Sequence, residues 1–196
     1  YFSIKKPQDM NILTSDEEDV NQMWHLLYSS LFYFNRDLSV SPDLVKEYKT
    51  DAKNGTVTIE IDEKAKFSDG KQITSGPFYL YANKIENVEI KDDLKAAIHF
   101  ETPSDASLTN LVFPIISSDS YDKNDKSYNQ VSSGKFMIKS FSENKIELVP
   151  NSGYYGEQSK NNINFSFSTK GEDTKGLITI GSITGKFSKL NNSKTE

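Results

Sequence analysis

Val57, Ile59 and Ile61 alternate with Thr58 and Glu60, the period-two pattern of a strand that buries one face, and the pairs Asn54-Gly55 and Asp69-Gly70 mark turns around it. The stretch 54–74 therefore reads as strand, turn, strand, turn. A helical period replaces this one over 15–31, where Val20, Met23, Trp24, Leu27, Tyr28 and Leu31 form one apolar stripe. Ser15 with Glu18 reads as a capping box at its start, and Asp16 and Glu17 suit the positive end of the helix dipole. Further along, 85–90 and 95–100 alternate on either side of Lys91-Asp92-Asp93-Leu94 and predict a hairpin. The segment 107–113 predicts a short helix ended by Pro114, and 123–133 is polar and predicts a loop. A last strong alternation runs over 164–168, carried by Ile163, Phe165 and Phe167. Together these elements predict an α+β fold: a lobe of mainly antiparallel or mixed β-structure with one long amphipathic helix.

Composition narrows the function classes more than the fold. The chain has 196 residues with 35% hydrophobic and 12% aromatic content, enough for one substantial core or two small ones. Its net charge of -5 is spread among interspersed acids and lysines, so no basic footprint for nucleic acid exists. With no cysteine there is no disulfide, thiolate metal site or Cys nucleophile, and no redox clue to the compartment. No apolar run reaches the length of a membrane span, and residues 1–6 do not read as a signal peptide, so any targeting segment would precede them.

Catalytic chemistry is equally thin. His25 and His99 are the imidazoles, one beside Trp24 on the helix and one alternating with Ile98 and Phe100 in a strand, and both are expected to face solvent or a sheet edge. Asp16, Glu17, Glu18 and Asp19 fan around a helix start and complement its dipole without converging on a cation. The string 181–187 imitates a phosphate loop but is one residue short between its glycines, and Phe187 stands where Ser or Thr would meet magnesium. The expectation is a non-enzyme with no metal and no cofactor.

The stretch 54–74, with Phe67-Ser68-Asp69-Gly70-Lys71 and Ile73-Thr74, resembles the signature of the family 5 extracellular solute-binding proteins, which serve peptide ABC importers. Other segments are similar to motifs of the same family: Tyr28-Ser29-Ser30-Leu31 and the residues after it, 42–48, Phe113-Pro114-Ile115-Ile116-Ser117, 134–141 with Lys135 where Pro is usual, and 146–155 with Asn151 and Tyr154-Tyr155. The resemblance implies a periplasmic-binding-protein-like lobe that recognises peptide through backbone groups before the first helix and near the hinges. Those positions are Leu13, Thr14 and Ser15, with Ser133 and Gly134, although Ser15 is also read as the helix cap. It further implies that Phe78, Tyr79 and Tyr81, in a segment similar to one where a tyrosine faces the bound peptide, either contact ligand or pack structurally.

Two departures from the family pattern carry equal weight. After Thr74 the long helix expected of the family is replaced by Ser75-Gly76-Pro77-Phe78, and after 171–174 roughly half a protein is missing before a tail, 183–187, that looks like a family C-terminal strand. The chain is therefore expected to be a single lobe over 1–196 with engineered joins near 75–77 and 180–182, at Gly76 and Gly181; a naturally reduced homologue would read alike. The resemblance implies a peptide ligand shared with a missing second lobe (nickel or an oligosaccharide being alternatives), and an ABC permease as partner of the parent. It also implies a lipid anchor outside these residues, and a place at the outer face of the cell membrane or in the periplasm. The alternative from another class is a free-standing extracellular interaction module, and exposed sheet edges favour dimerisation under either reading.

Overall fold

In the computed structural model, residues 2–76, 87–120, 122, 124–128 and 130–167 are described, and they build two four-stranded sheets, a two-stranded ribbon and one α-helix. The first sheet has the order β1-β10-β9-β8, from Phe2–Ile4 (β1), Ile163–Phe167 (β10), Lys145–Pro150 (β9) and Phe136–Phe141 (β8). It is antiparallel except for β1, which runs parallel to β10 with Phe2 opposite Phe165. The second sheet has the order β4-β5-β7-β6, from Val45–Asp51 (β4), Thr56–Ile61 (β5), Lys95–His99 (β7) and Val88–Ile90 (β6), and is antiparallel throughout. Between them the ribbon pairs Phe32–Phe34 (β2) with Val40–Pro42 (β3).

The predicted alternation in 57–61 is realised: Val57, Ile59 and Ile61 are fully buried, Val57 and Ile59 opposite Ile98 and Ala96 on β7 and Ile61 opposite Val45 on β4. Gly55 and Gly70 both hold positive φ, at 69° and 85°, which is why those two turns need glycine. The second strand of the opening motif is reduced to one bridge, Lys66 to Gln72, that closes a tight turn and delivers Phe67 into the core. The predicted hairpin exists as β6 and β7, and the short helix is a 3₁₀ turn, Asp105–Leu111, held by reciprocal bonds between Ser104 and Ser107.

Two apolar cores result. One packs the inner face of the second sheet against Leu31, Phe32, Phe67, Ile73, Leu108, Leu111 and Ile115. The other packs α1 against the first sheet through Val20, Met23, Leu27, Phe136, Ile138, Ile146 and Phe165. Leu13 touches both.

The helix itself, α1, spans Glu18–Leu27 and is shorter than its periodicity predicts at both ends. Ser15 does not cap it. Its hydroxyl accepts from the Glu17 N–H at 3.2 Å, and Glu17 occupies the N-cap with no capping bond from its own side chain. That carboxylate instead accepts the N–H groups of Gln8 (2.6 Å) and Asp9 (2.9 Å), tying down the strap that leads to the helix. At the other end Tyr28 turns extended, because the groups that would continue the helix are taken elsewhere: Ser29 N–H donates to Ser133 Oγ, Ser30 N–H to Asp43 Oδ2, and Ile115 N–H to Ser29 C=O. Tertiary hydrogen bonds to buried partners outcompete a turn of helix that would have saved no more bonds.

Candidate functional site

The strap before α1 is organised by one side chain. Asn11, buried, receives the Leu13 N–H on Oδ1 and donates from Nδ2 to the carbonyls of Asp122 (3.0 Å) and Asp125 (2.9 Å), while its own carbonyl accepts from Thr14 and Ser15 N–H. Met10 N–H adds a bond to Lys126 C=O at 2.8 Å. The donors of Leu13, Thr14 and Ser15 are thus all spent inside the turn. Among the described residues their carbonyls accept none of the backbone hydrogen bonds of the turn. Sequence reasoning passed over Asn11, although an Asx residue two positions before a backbone N–H is a recognisable turn signal.

Ser133 and Gly134 sit elsewhere. Leu13, Thr14 and Ser15 precede the first turn of the ten-residue helix, whereas Gly134 lies on its last residues, a helix length of about 15 Å away. A Cβ on Gly134 would come within 2.7 Å of Leu27 C and Tyr28 N, so glycine is demanded there by backbone contact with the helix end. Ser133 is buried; its hydroxyl donates to Ile115 C=O at 2.6 Å and accepts from Ser29 N–H at 3.1 Å. The structure therefore does not bring the two predicted groups into one spot. Phe78, Tyr79 and Tyr81 lie outside the described residues.

A small cavity of about 40 Å³ opens beneath the strap, lined by Met10, Asn11, Ile12, Tyr28, Ile116 and Tyr128 among others. That volume suits water, whereas a pocket enclosing an organic ligand needs roughly 300 Å³ or more. Burial raises the Tyr28 phenol well above its ordinary value there, so it stays a neutral hydroxyl. Among the described residues no cluster of His, Asp or Glu has the geometry of a metal site, and none of the helices is long and apolar enough to cross a membrane.

A second connected polar group lies at the other end of α1, centred on a residue that sequence reasoning did not single out. Asp43, between β3 and β4, accepts the Ser30 N–H and the Tyr155 hydroxyl, which also reaches the Asp43 carbonyl. Burial pushes the Asp43 carboxyl up, partly countered by the bonds from Ser30, Tyr155 and Ser29. Burial and the facing Asp43 charge raise Tyr155 and Tyr154 in turn. Behind them Asn151, fully buried, donates from Nδ2 to Gly134 C=O and accepts the Gly153 N–H. The Asn151, Tyr154 and Tyr155 motif thus works as a fastener between the last strands and the β3–β4 corner.

No protein-family model and no curated protein matches the sequence. Solved structures do match its fold. The oligopeptide-binding protein AppA from Bacillus subtilis, in complex with a nonapeptide, superposes with a TM-score of 0.70 at 18% identity, over 84% of this chain and 38% of that one. The fold is that of the family 5 solute-binding proteins. A dipeptide-binding protein from Pseudoalteromonas sp. SM9913 in complex with Met-Leu gives a TM-score of 0.72 at 10% identity, over 86% of this chain and 43% of that one. NikZ from Campylobacter jejuni, in complex with Ni(L-His), gives 0.68 at 17% identity, over 85% and 38%. This chain spans about two fifths of the length of these three proteins.

Proposed function

We propose that this chain is one lobe of the substrate-binding component of an ABC importer that captures peptides. The observation that carries the reading is the fold: more than four fifths of the chain superposes on under half of a protein solved around a nonapeptide. A lobe of this kind would offer the carbonyls of Leu13, Thr14 and Ser15 to the N–H groups of an extended peptide, a mode that reads main chain and tolerates varied side chains. Phe78, Tyr79 and Tyr81 would add aromatic contact, and Ser133 and Gly134 would act by holding the hinge-side end of α1 in place.

Closure on a ligand needs a second face, and the 40 Å³ cavity is too small to enclose a peptide by itself. If each face supplied half of the roughly 8 kcal/mol behind a micromolar complex, one face alone would bind at about millimolar. Calorimetry with a mixture of tri- to pentapeptides is expected to show no micromolar heat, and a micromolar signal would refute the single-lobe reading. In a parent protein the closed form would dock on a membrane permease, outside the cytoplasmic membrane and held there by a lipid anchor or free in a periplasm.

Gly76 is consistent with a join near 75–77: among the described residues a Cβ there would meet Thr74 Oγ1 alone, at 3.6 Å, and its φ is not positive. The partner join proposed at Gly181 lies outside the described residues. An encoding natural gene that reads continuously through Ser75-Gly76-Pro77 would sink the idea of an engineered join.

A further inference from the structure

We propose that the free edge of β4 is a self-association surface, on which a second copy of this chain adds its own β4 in antiparallel register centred on Tyr48. Strand β4 ends the order β4-β5-β7-β6, so among the described residues one side of its backbone has no ladder partner. Unpaired edges of this kind are templates for another strand. A bulge between Val45 and Glu47 interrupts the strand's start and leaves 47–51 as the regular, usable edge.

The charges along that edge are self-complementary with Tyr48 at the centre, the register that keeps both Glu47–Lys49 pairs within the regular stretch 47–51. With Tyr48 opposite its own copy, Glu47 faces the partner's Lys49 and Lys49 faces the partner's Glu47. A shift of the centre by one residue sets Lys49 against Lys49 and Glu47 against Asp51, which repel. Glu47 and Lys49 are exposed and in no ion pair among the described residues, although Glu47 exerts a longer pull on Lys95 and Lys49 on Asp51. Their neighbour Lys46 is already paired with Glu60.

The other face of the same edge is apolar. The exposed large hydrophobics of the described chain are Tyr33, Phe34, Leu38 and Tyr48, all from the β2–β3 ribbon and β4. Tyr48 packs edge-on against the buried ring of Phe32 at 5.2 Å, and Phe34 shares the Phe32 face of the ribbon. A self-paired edge would cover Tyr48 and bring two such patches together, which is what concentrated exposed apolar surface favours. The inference does not depend on the ligand reading, since β4 contains none of the residues assigned to peptide.

Sedimentation velocity of the full chain over a concentration series tests it. The unaltered chain is expected to show a monomer–dimer equilibrium, and Glu47→Lys or Lys49→Glu alone to weaken it by about tenfold or more, since each places like charges opposite. Mixing the two single variants is expected to restore a heterodimer, because each then supplies the charge the other lacks. Circular dichroism melts of both variants check that these exposed changes leave the fold intact. A chain that stays monomeric at every concentration, or a dimer indifferent to both reversals, would overturn the proposal, as would single variants that fail to recover on mixing.

Discussion

Leu38 holds φ at 66° at the tip of the β2–β3 ribbon, with 78% of its surface exposed, so it bears the left-handed penalty of a side chain that packs on nothing. Leu38→Gly is expected to raise the denaturant midpoint at unchanged slope, by up to about 1 kcal/mol, part of the relief being offset by glycine's freer unfolded chain. Asp43 makes a different demand. Its folded pKa lies above the unfolded one, so the native state holds the proton more tightly, and stability falls as pH rises from the unfolded carboxylate range through the raised native value. Measured as unfolding free energy against pH, Asp43→Asn is expected to lose that downward contribution, so the variant gains on the parent as pH rises. A difference that stays constant with pH would show that the carboxyl is not perturbed. Neither residue's situation was legible in the sequence: the turn position of Leu38 carries no glycine or asparagine to announce it, and Asp43 owes its burial to Ser30 and Tyr155, which are distant or unremarkable in the chain.

Among the elements, β5 was readable because its alternation and its flanking turn pairs are local and agree with one another. Helix α1 was readable in type but not in extent. Its apolar stripe continues through Tyr28 to Leu31, yet Leu31 belongs to the other core, so one periodic run serves two packing surfaces and the helix must stop between them. The stop is enforced by Gly134, whose backbone bonds Leu27 C=O and touches the helix end. Gly134→Ala is expected to destabilise by about 1–3 kcal/mol, the usual range for overpacking, because the 2.7 Å contact is with main chain that cannot swing away. A thermal melt unchanged from the parent would show that β8 shifts freely against α1.

For the molecule as a whole, two cores meet along a seam marked by Leu13 and by the bonds joining Ser29, Ile115 and Ser133. The proposed ligand-facing carbonyls lie on the strap beside that seam, held from beneath by Asn11 across more than a hundred residues of chain. Such a strap presents backbone from a rigid base, and the weak affinity proposed for it would follow from having one face of a cleft. Local pattern was enough to determine strand, turn and helix types, the α+β class and the resemblance that the superposed structures bear out, because those depend on side-chain periodicity and turn chemistry within a few residues. Three things waited for the fold: where α1 ends, the separation of Leu13, Thr14 and Ser15 from Ser133 and Gly134, and the burial of Asp43. Each is set by hydrogen bonds and close contacts between residues far apart in sequence, whose free energy exceeds the local preference and leaves no mark in the periodicity.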